Sequence, residues 1–397
     1  MLTDYEFLAT GRRESLFTHD LDQNRPALDD AIRGARIAVI GAAGSIGFAV
    51  IKNLLPFRPA ALALIDLNEN NLVEIVRELR ATPDLPLPQD FAALPIGIGS
   101  IEGTRFFRES KPFDYILNLS AVKHVRSEKN IYSLIRMIDT NVLFLHDLLA
   151  ALPYRPRKFF SVSSDKAVNP ASLLGAGKRL MEIVMAASEH SCSSARFANV
   201  AFSDGSLPHG LLKRIQKHQP IAAPSNIRRY FISHEEAGQI CLLASILGQH
   251  GDSYFPKPSD TLSERSFPEI ATDLLAQLGY QVHECASPDD ARRQAAELIA
   301  RKRWPCCFQP AETSGEKPFE EFHTTDETID FEQYERLGVI KLDSADLPRE
   351  QLSHFLDFAR QARHDPNAAK QDYVRELAPL IPGFQHRETG KDLDQQM

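Results

Sequence analysis

Cysteine is scarce in this chain of 397 residues, which has only five. The number is odd and no Cys-x-x-Cys pair occurs. Neither a disulfide framework nor a cysteine-based zinc site is expected, and the usage fits a reducing cytoplasm. The adjacent Cys306 and Cys307 read as small core residues. Long hydrophobic runs are missing as well. The longest uncharged apolar stretch, residues 37–51, contains three glycines and falls short of the roughly 20 residues that a membrane helix needs. The opening residues MLTDYEFLATGRRESLF lack the apolar run of a signal peptide. No membrane insertion is expected, and the chain reads as cytoplasmic. An excess of positive charge is also absent. Lys+Arg 45 against Asp+Glu 53 gives a net charge of −8, so there is no overall bias toward nucleic acid or anionic lipid. The 13 histidines show no ligand spacing, and no metal is expected.

What is present is an ordinary globular composition, 43% apolar and 25% charged. From residue 36, short continuous apolar runs recur at 37–40, 61–65, 94–98, 115–119 and 158–162, and 194–200 reads as a sixth strand. Segments of helical spacing lie between most of them. Such strands are buried on both faces. The alternation predicts an α/β fold with a doubly wound, Rossmann-like parallel sheet. A smaller mixed C-terminal substrate lobe and a helical C-terminal extension follow. The expected divisions are an N-terminal arm (1–35) with a short amphipathic helix at 26–32, a dinucleotide-binding core (36–203), a lobe interleaved with it (204–345), and an extension (346–397). Helical spacing marks 350–363 and 367–381, and Glu388 to Met397 reads as a polar tail.

Gly41-Ala42-Ala43-Gly44-Ser45-Ile46-Gly47 follows the first strand and opens a helix. Glycines at this spacing give a tight turn, close approach to a pyrophosphate and close helix–strand packing. The helix N-terminus offers free N–H groups to phosphate. Asp66 ends the second strand, about 20 residues on, where a carboxylate accepts bonds from ribose hydroxyls and repels a 2′-phosphate. The cofactor expected is therefore NAD rather than NADP. Gly175-Ala176-Gly177-Lys178-Arg179 lacks the first glycine of a P-loop and the hydroxyl that would hold magnesium.

Ser161-Val162-Ser163-Ser164-Asp165-Lys166 leaves the fifth strand, and chemistry in such sheets gathers at the carboxyl ends of strands. The run supplies hydroxyls, a carboxylate and an amine. An Asp beside a Lys can trade protons once water is excluded. A solvated turn that caps a helix is the bland alternative. Lys178 follows on the next predicted helix.

These motifs resemble the extended short-chain dehydrogenase/reductase superfamily, and within it the UDP-N-acetylglucosamine 4,6-dehydratases and CapD-like polysaccharide biosynthesis proteins. The resemblance covers roughly residues 36–240. It rests on the glycine loop, Leu119-Ser120-Ala121-Val122-Lys123-His124-Val125, Ser163-Ser164-Asp165-Lys166-Ala167-Val168-Asn169-Pro170, Gly175-Ala176-Gly177-Lys178-Arg179, Arg196-Phe197-Ala198-Asn199-Val200 and Arg229-Tyr230-Phe231. It implies oxidation of the sugar at C4, elimination of water across C5–C6 and return of the hydride to C6. It also implies catalytic roles for Ser164, Asp165, Lys166 and Lys178. Asp165 would protonate the leaving hydroxyl and Lys166 would remove the C5 proton. Cofactor contacts would fall to Gly41, Gly44, Ser45, Ile46, Gly47, Asp66, Leu119, Ser120, Ala121 and Lys178. Lys123, His124, Asn199 and Arg229 are the substrate candidates, with Arg228 a weaker one. The partners implied are a UDP-sugar and further copies of the same chain.

The sequence departs from the resembling family at three places. Leu174 stands where the superfamily's tyrosine precedes Lys178 by four residues. Gly97 replaces an Asp common near the adenine, and Asp204 an Arg. The first departure shifts the base for C4 oxidation to Ser164 with Asp165 or Lys166. It keeps open an epimerase or C4 oxidoreductase. A non-catalytic nucleotide-sugar-binding protein is a further alternative, and the presence of both Asp165 and Lys166 argues against it.

Overall fold

The structure is a computed structural model that describes residues 4–258, 262, 264–310, 320–343, 345 and 347–387. The chain begins with helices α1 (Asp4–Thr10) and α2 (Thr18–Ile32). It continues through β1 (Arg36–Ile40), α3 (Ser45–Leu54), β2 (Ala61–Ile65), α4 (Glu69–Ala81), β3 (Asp90–Leu94), α5 (Ile101–Glu109) and β4 (Tyr115–Asn118). Next come α6 (Ile131–Ile138), α7 (Phe144–Ala151), β5 (Lys158–Val162), α8 (Leu173–Ala187) and β6 (Cys192–Ala195). The later elements are β7 (Asn199–Val200), α9 (Leu207–Gln216), β8 (Ile221–Pro224), β9 (Arg228–Ile232), α10 (His234–Leu247), β10 (Asp252–Pro256), β11 (Glu264–Ser266) and α11 (Phe267–Gln277). Then follow β12 (Gln281–Glu284), α12 (Pro288–Ala300), β13 (Arg303–Gln309), β14 (Thr328–Asp330), β15 (Leu337–Lys341), α13 (Arg349–Ala362) and α14 (Lys370–Leu377).

Nine strands form the main sheet in the order β14-β15-β10-β6-β5-β4-β1-β2-β3. Neighbours from β3 to β10 run parallel, whereas β15 is antiparallel to β10 and β14 to β15. Along β1, Ile37 and Val39 join the core shared with α2, α3, α4 and α10. Ala38 and Ile40 join the core shared with α5 to α8, α13 and α14. The continuous apolar run is thus the mark of a strand covered on both faces. This is the doubly wound α/β fold expected. The strand order reverses between β1 and β4, so the loops after them open a crevice at the carboxyl ends.

Two smaller sheets, β11-β9-β7 and β12-β13-β8, lie outside the main one. The chain leaves β10 at Pro256, re-enters the main sheet at its edge in β14, and then in β15 sets Leu337 directly opposite Pro256 in register. Three of the nine main strands therefore come from the 204–345 interval.

Some local expectations change. The run at 94–98 is not the third strand, which is Asp90–Leu94. It is half-buried at the sheet edge, and Ile96 and Ile98 pack beyond it. The segment 194–200 is not one strand. It divides after Ala195, because Arg196 turns into a buried ion network and β7 pairs with β9 instead. The helix expected at 26–32 begins at Thr18 and runs through Pro26. Buried Leu21, Leu28 and Ile32 fix its inner face, and the fully buried Asp20 carboxylate accepts the backbone N–H groups of Glu335 (2.6 Å) and Arg336 (2.9 Å). Cys306 and Cys307 are buried on β13. The tail from Glu388 onward lies outside the described residues. Among the described residues, no helix is long and apolar enough to cross a membrane.

Candidate active site

The glycine loop is a tight seam. Gly41 has φ of +75°, and a Cβ there would lie 2.5 Å from the Ser120 nitrogen. A Cβ at Gly47 would lie 2.1 Å from the Gly41 carbonyl oxygen. Side chains at either position would force α3 and the segment after β4 away from β1. Leu119 donates its N–H to the Ile40 carbonyl at 2.8 Å, and Ser120 Oγ donates to Asn118 Oδ1 at 2.6 Å. Leu119 and Ser120 therefore border the loop, and Ala121 follows them in the chain. Asp66 accepts the N–H groups of Ala43 (2.9 Å) and Asn68 (2.8 Å). It ties the second strand to the loop, while Asn68 caps α4.

The segment after β5 is held from below. Ser163 donates its N–H to the Ala195 carbonyl and its Oγ to Glu182 Oε1 at 2.6 Å. Ser164 Oγ accepts the Lys166 N–H at 3.2 Å and caps the one-turn helix Asp165–Ala167. The capping geometry and the chemical pair thus coexist. Lys166 Nζ lies 3.2 Å from Asp165 Oδ1, with side chains 39% and 9% exposed. Burial alone would lower the Lys166 pKa, but the Asp165 and Glu320 carboxylates outweigh it and hold the amine above its ordinary value. Lys178 is buried and donates to the Val162 carbonyl at 2.9 Å. Burial lowers its pKa to about 8, against the pull of Glu182. Leu174 is 2% exposed and packs in the apolar core beneath α8. No proton carrier stands at that position.

Glu320 is the residue that the sequence reading missed. Its carboxylate accepts Asn199 Nδ2 (2.6 Å) and the Tyr230 N–H (2.8 Å), lies 3.5 Å from Arg229 Nε, and is 3% exposed. Burial, with Asp165 adding, pushes its pKa up to about 8 against Lys166 and Arg229. Asn199 and Arg229 were read separately as substrate candidates, and this carboxylate brings them together beside Asp165 and Lys166. No local pattern around Glu320 announces it, since its partners lie on β7 and β9, far back in the chain.

A second buried network anchors the segment that carries Glu320. Arg196 reaches Glu182 at 2.8 and 2.7 Å, Glu327 at 2.8 and 2.7 Å, and the Phe322 carbonyl at 3.0 Å. Arg179 bridges the same two carboxylates at 3.0 Å each. Burial would raise Glu182, yet Arg196 chiefly holds it at about 2. Lys123 and His124 lie exposed after β4. The Asp204 charge acts on Lys123, and a Cβ at Gly205 would be 2.8 Å from His124 Nε2. Arg228 is exposed and pairs with Glu269 at 3.2 Å.

The sequence model of a family described as "Polysaccharide biosynthesis protein" matches residues 37–341. The uncharacterized membrane protein MJ1061 of Methanocaldococcus jannaschii is 27% identical over 314 residues, covering 77% of this chain and 85% of that protein. The capsular polysaccharide biosynthesis protein CapD of Staphylococcus aureus is 31% identical over 229 residues, covering 55% of this chain. The chain spans only 37% of CapD's length. Among solved structures, Pen from Bacillus thuringiensis aligns with a TM-score of 0.63 at 20% identity, covering 78% of this chain and 88% of that one. DesIV from Streptomyces venezuelae, described as a dTDP-glucose 4,6-dehydratase and solved as a double mutant with NAD and DAU bound, aligns with a TM-score of 0.52 at 16% identity. That alignment covers 78% of this chain and 94% of DesIV. These two likenesses establish the shared fold.

Proposed function

The chain belongs to the polysaccharide biosynthesis protein family, and from that premise we propose that it is an NAD-dependent nucleotide-sugar 4,6-dehydratase of the extended short-chain dehydrogenase/reductase type. The substrate we assign is UDP-N-acetylglucosamine, and the product is a UDP-4-keto-6-deoxy-N-acetylhexosamine for surface polysaccharide. The observation that carries this reading is the Asp165–Lys166 pair, 3.2 Å apart at the carboxyl end of β5. That strand end lies beside the segment that abuts the glycine loop. A protein that only bound a nucleotide sugar would not need an acid and an amine so joined.

The loop fits a dinucleotide. The first turn of α3 has no side-chain cap, and a Cβ at Gly44 would meet only the Gly41 carbonyl, at 3.4 Å. The helix N–H groups are thereby left to an anion. Asp66 keeps lone pairs for ribose hydroxyls beyond its two backbone bonds. Bound there, NAD supplies the uptake of hydride from C4 and its return to C6.

The chain's own residues supply the protons. With Leu174 inert, Asp165 receives the O4 proton, relayed by the Ser164 hydroxyl, as C4 is oxidised. The ketone acidifies C5. With Asp165 protonated its hold on Lys166 lapses, the ammonium gives a proton to solvent, and the free amine takes the C5 proton. Asp165 then passes its proton to the C6 oxygen as the C–O bond breaks. Lys166 returns its proton to C5. The O4 proton thus ends in the released water, and one carboxyl serves both steps. Lys123, His124, Asn199 and Arg229 are the donors we assign to the UDP-sugar. The working assembly is a closed homo-oligomer.

Mass spectrometry of UDP-N-acetylglucosamine incubated with the protein tests the reading. Loss of one water is the result expected. Unchanged mass with altered retention would assign an epimerase instead. Leu174 keeps that second reading open, because the residue that usually serves C4 oxidation is absent.

A further inference from the structure

The C-terminal extension continues past α14 toward the Asp165–Lys166 turn. Leu377, Leu380 and Ile381 are buried in the core beneath α8, and the chain then turns at Gly383, where φ is +78°. Past that turn, Gln385 donates its N–H to the Pro170 carbonyl at 3.3 Å, and Arg387 donates to the Ala171 carbonyl at 3.1 Å. Alternate residues of the extension thus bond to the stretch that links the Asp165–Lys166 turn to α8. Between them, His386 Nε2 lies 3.7 Å from Glu128 Oε2, an ion pair when the ring is protonated, with side chains 11% and 6% exposed. The same Glu128 oxygen accepts the N–H of Leu173, the first residue of α8, at 2.6 Å. An acid suits the N-terminal end of a helix, where N–H groups are unpaired and the dipole is positive. Two residues further on, a Cβ at Gly175 would lie 2.3 Å from the Lys166 carbonyl oxygen, so the first turn of α8 bears directly on the turn that carries the pair. Glu128 itself ends the one-turn helix Val125–Glu128, which follows Lys123 and His124. One buried carboxylate therefore joins the loop of two substrate candidates, the start of α8 and the C-terminal segment.

We propose that Glu128 is a positioning residue of the Asp165–Lys166 centre, and that residues 384–387 are the clamp that keeps it in place. Glu128 is assigned no contact with a reacting atom. Its bond to Leu173 sets the start of α8, α8 supports the Lys166 carbonyl, and the turn is thereby aligned with Lys123 and His124. The C-terminal extension thus belongs to the framework of the site. The consequence for turnover rests on the dehydratase reading, but the linkage of the three segments does not.

Two measurements keep these apart. Hydrogen–deuterium exchange of the full-length protein, read by mass spectrometry, follows a peptide that spans residues 163–176. Glu128→Ala removes the acceptor and His386→Ala loosens the clamp. The first should speed exchange in that peptide about tenfold or more, the scale of one lost charge-assisted hydrogen bond, and the second severalfold. Glu128→Gln keeps an acceptor for the Leu173 N–H and should stay within about threefold of the parent. Peptides from β1 and β2 should exchange as in the parent in every variant, which separates local release from unfolding. His386→Ala, at the rim of the junction, serves where Glu128→Ala does not fold. Exchange at 163–176 that matches the parent in the Ala variants overturns the proposal whatever reaction the protein catalyses. With UDP-N-acetylglucosamine turning over, kcat should fall about tenfold or more in Glu128→Ala, as misalignment of reacting groups entails, and Glu128→Gln should restore most of it. Faster exchange with kcat unchanged, or a fall in kcat matched by faster exchange in β1 and β2, would reduce Glu128 to a structural residue. A parent without turnover would strike the dehydratase reading, and the exchange result alone would then decide the linkage.

Discussion

Arg196 and Glu182 meet at two points, Nε to Oε1 at 2.8 Å and Nη2 to Oε2 at 2.7 Å, with side chains 1% and 3% exposed. Glu327 takes the other face of the guanidinium. The group is a staple between α8, the end of β6 and the segment that brings Glu320 to the site.

Replacing Arg196 by Met should therefore cost more than a surface change. Two buried carboxylates lose their main counter-charge, and removing one partner of a buried pair typically costs about 3–5 kcal/mol. Urea denaturation at neutral pH measures it. A loss below about 1 kcal/mol, the level of an exposed pair, would contradict the buried geometry.

The same group makes stability acid-sensitive. The folded pKa of Glu182, about 2, lies below its ordinary value of 4.5. Its contribution is fully present above 4.5 and is lost as pH falls toward 2. Denaturation midpoints followed through this range should decline, and less steeply in Glu182→Gln.

Lys178 works in the opposite range. Its folded pKa of about 8 lies below the ordinary 10.5, so the unfolded chain binds more protons between those values. Stability should therefore rise with pH from 8 to 10.5, and Lys178→Met should abolish the rise. A parent curve that is flat or falling across that interval would disprove the buried placement of the amine.

The catalytic pair should separate by stage. Lys166→Met should still oxidise C4 and accumulate reduced nicotinamide, with no exchange of the C5 hydrogen for solvent deuterium. Asp165→Asn should lose both signals, with product formation down about 100-fold or more. Near-normal dehydration by both variants would mean that this strand end is not where the chemistry occurs.

Asp66 makes a prediction about the cofactor. Denatured protein should release NAD, because a 2′-phosphate would meet the carboxylate that secures Ala43 and Asn68. Chromatography of the supernatant decides it, and NADP in place of NAD would refute the assignment.

The parallel sheet was legible because β1, β2, β4 and β5 are covered on both faces and write themselves as unbroken apolar runs. β3 was misplaced because its two alanines make a weak apolar run that stays half-buried at the sheet edge, while Ile96 and Ile98 beyond it pack into the core shared with α5 to α8. The strand through Arg196 was read too long because that arginine, polar in sequence, is buried by carboxylates contributed from α8 and from residue 327. The glycine loop and the residues after β5 were legible because their spacing is local. Glu320 was not, since its meaning lies wholly in Asn199, Tyr230 and Arg229, residues that only the tertiary fold brings near. Pro26 suggested a helix start, but the buried stripe on α2 and the bonds made by Asp20 outweigh the one N–H that proline removes.

The register of Pro256 opposite Leu337 carries a corollary. Between Pro256 and Leu337 the chain leaves β10 and comes back, by way of the edge strand β14, to the strand beside β10, and adjacent strands in a sheet lie only about 5 Å apart. The two ends of that stretch are thus already closed by the pairing of β10 with β15, whatever lies between. Loops within that stretch can therefore change in length at little cost in chain closure, provided that Glu320 and Glu327 keep their places, and the glycine-loop end of the sheet is untouched by such changes.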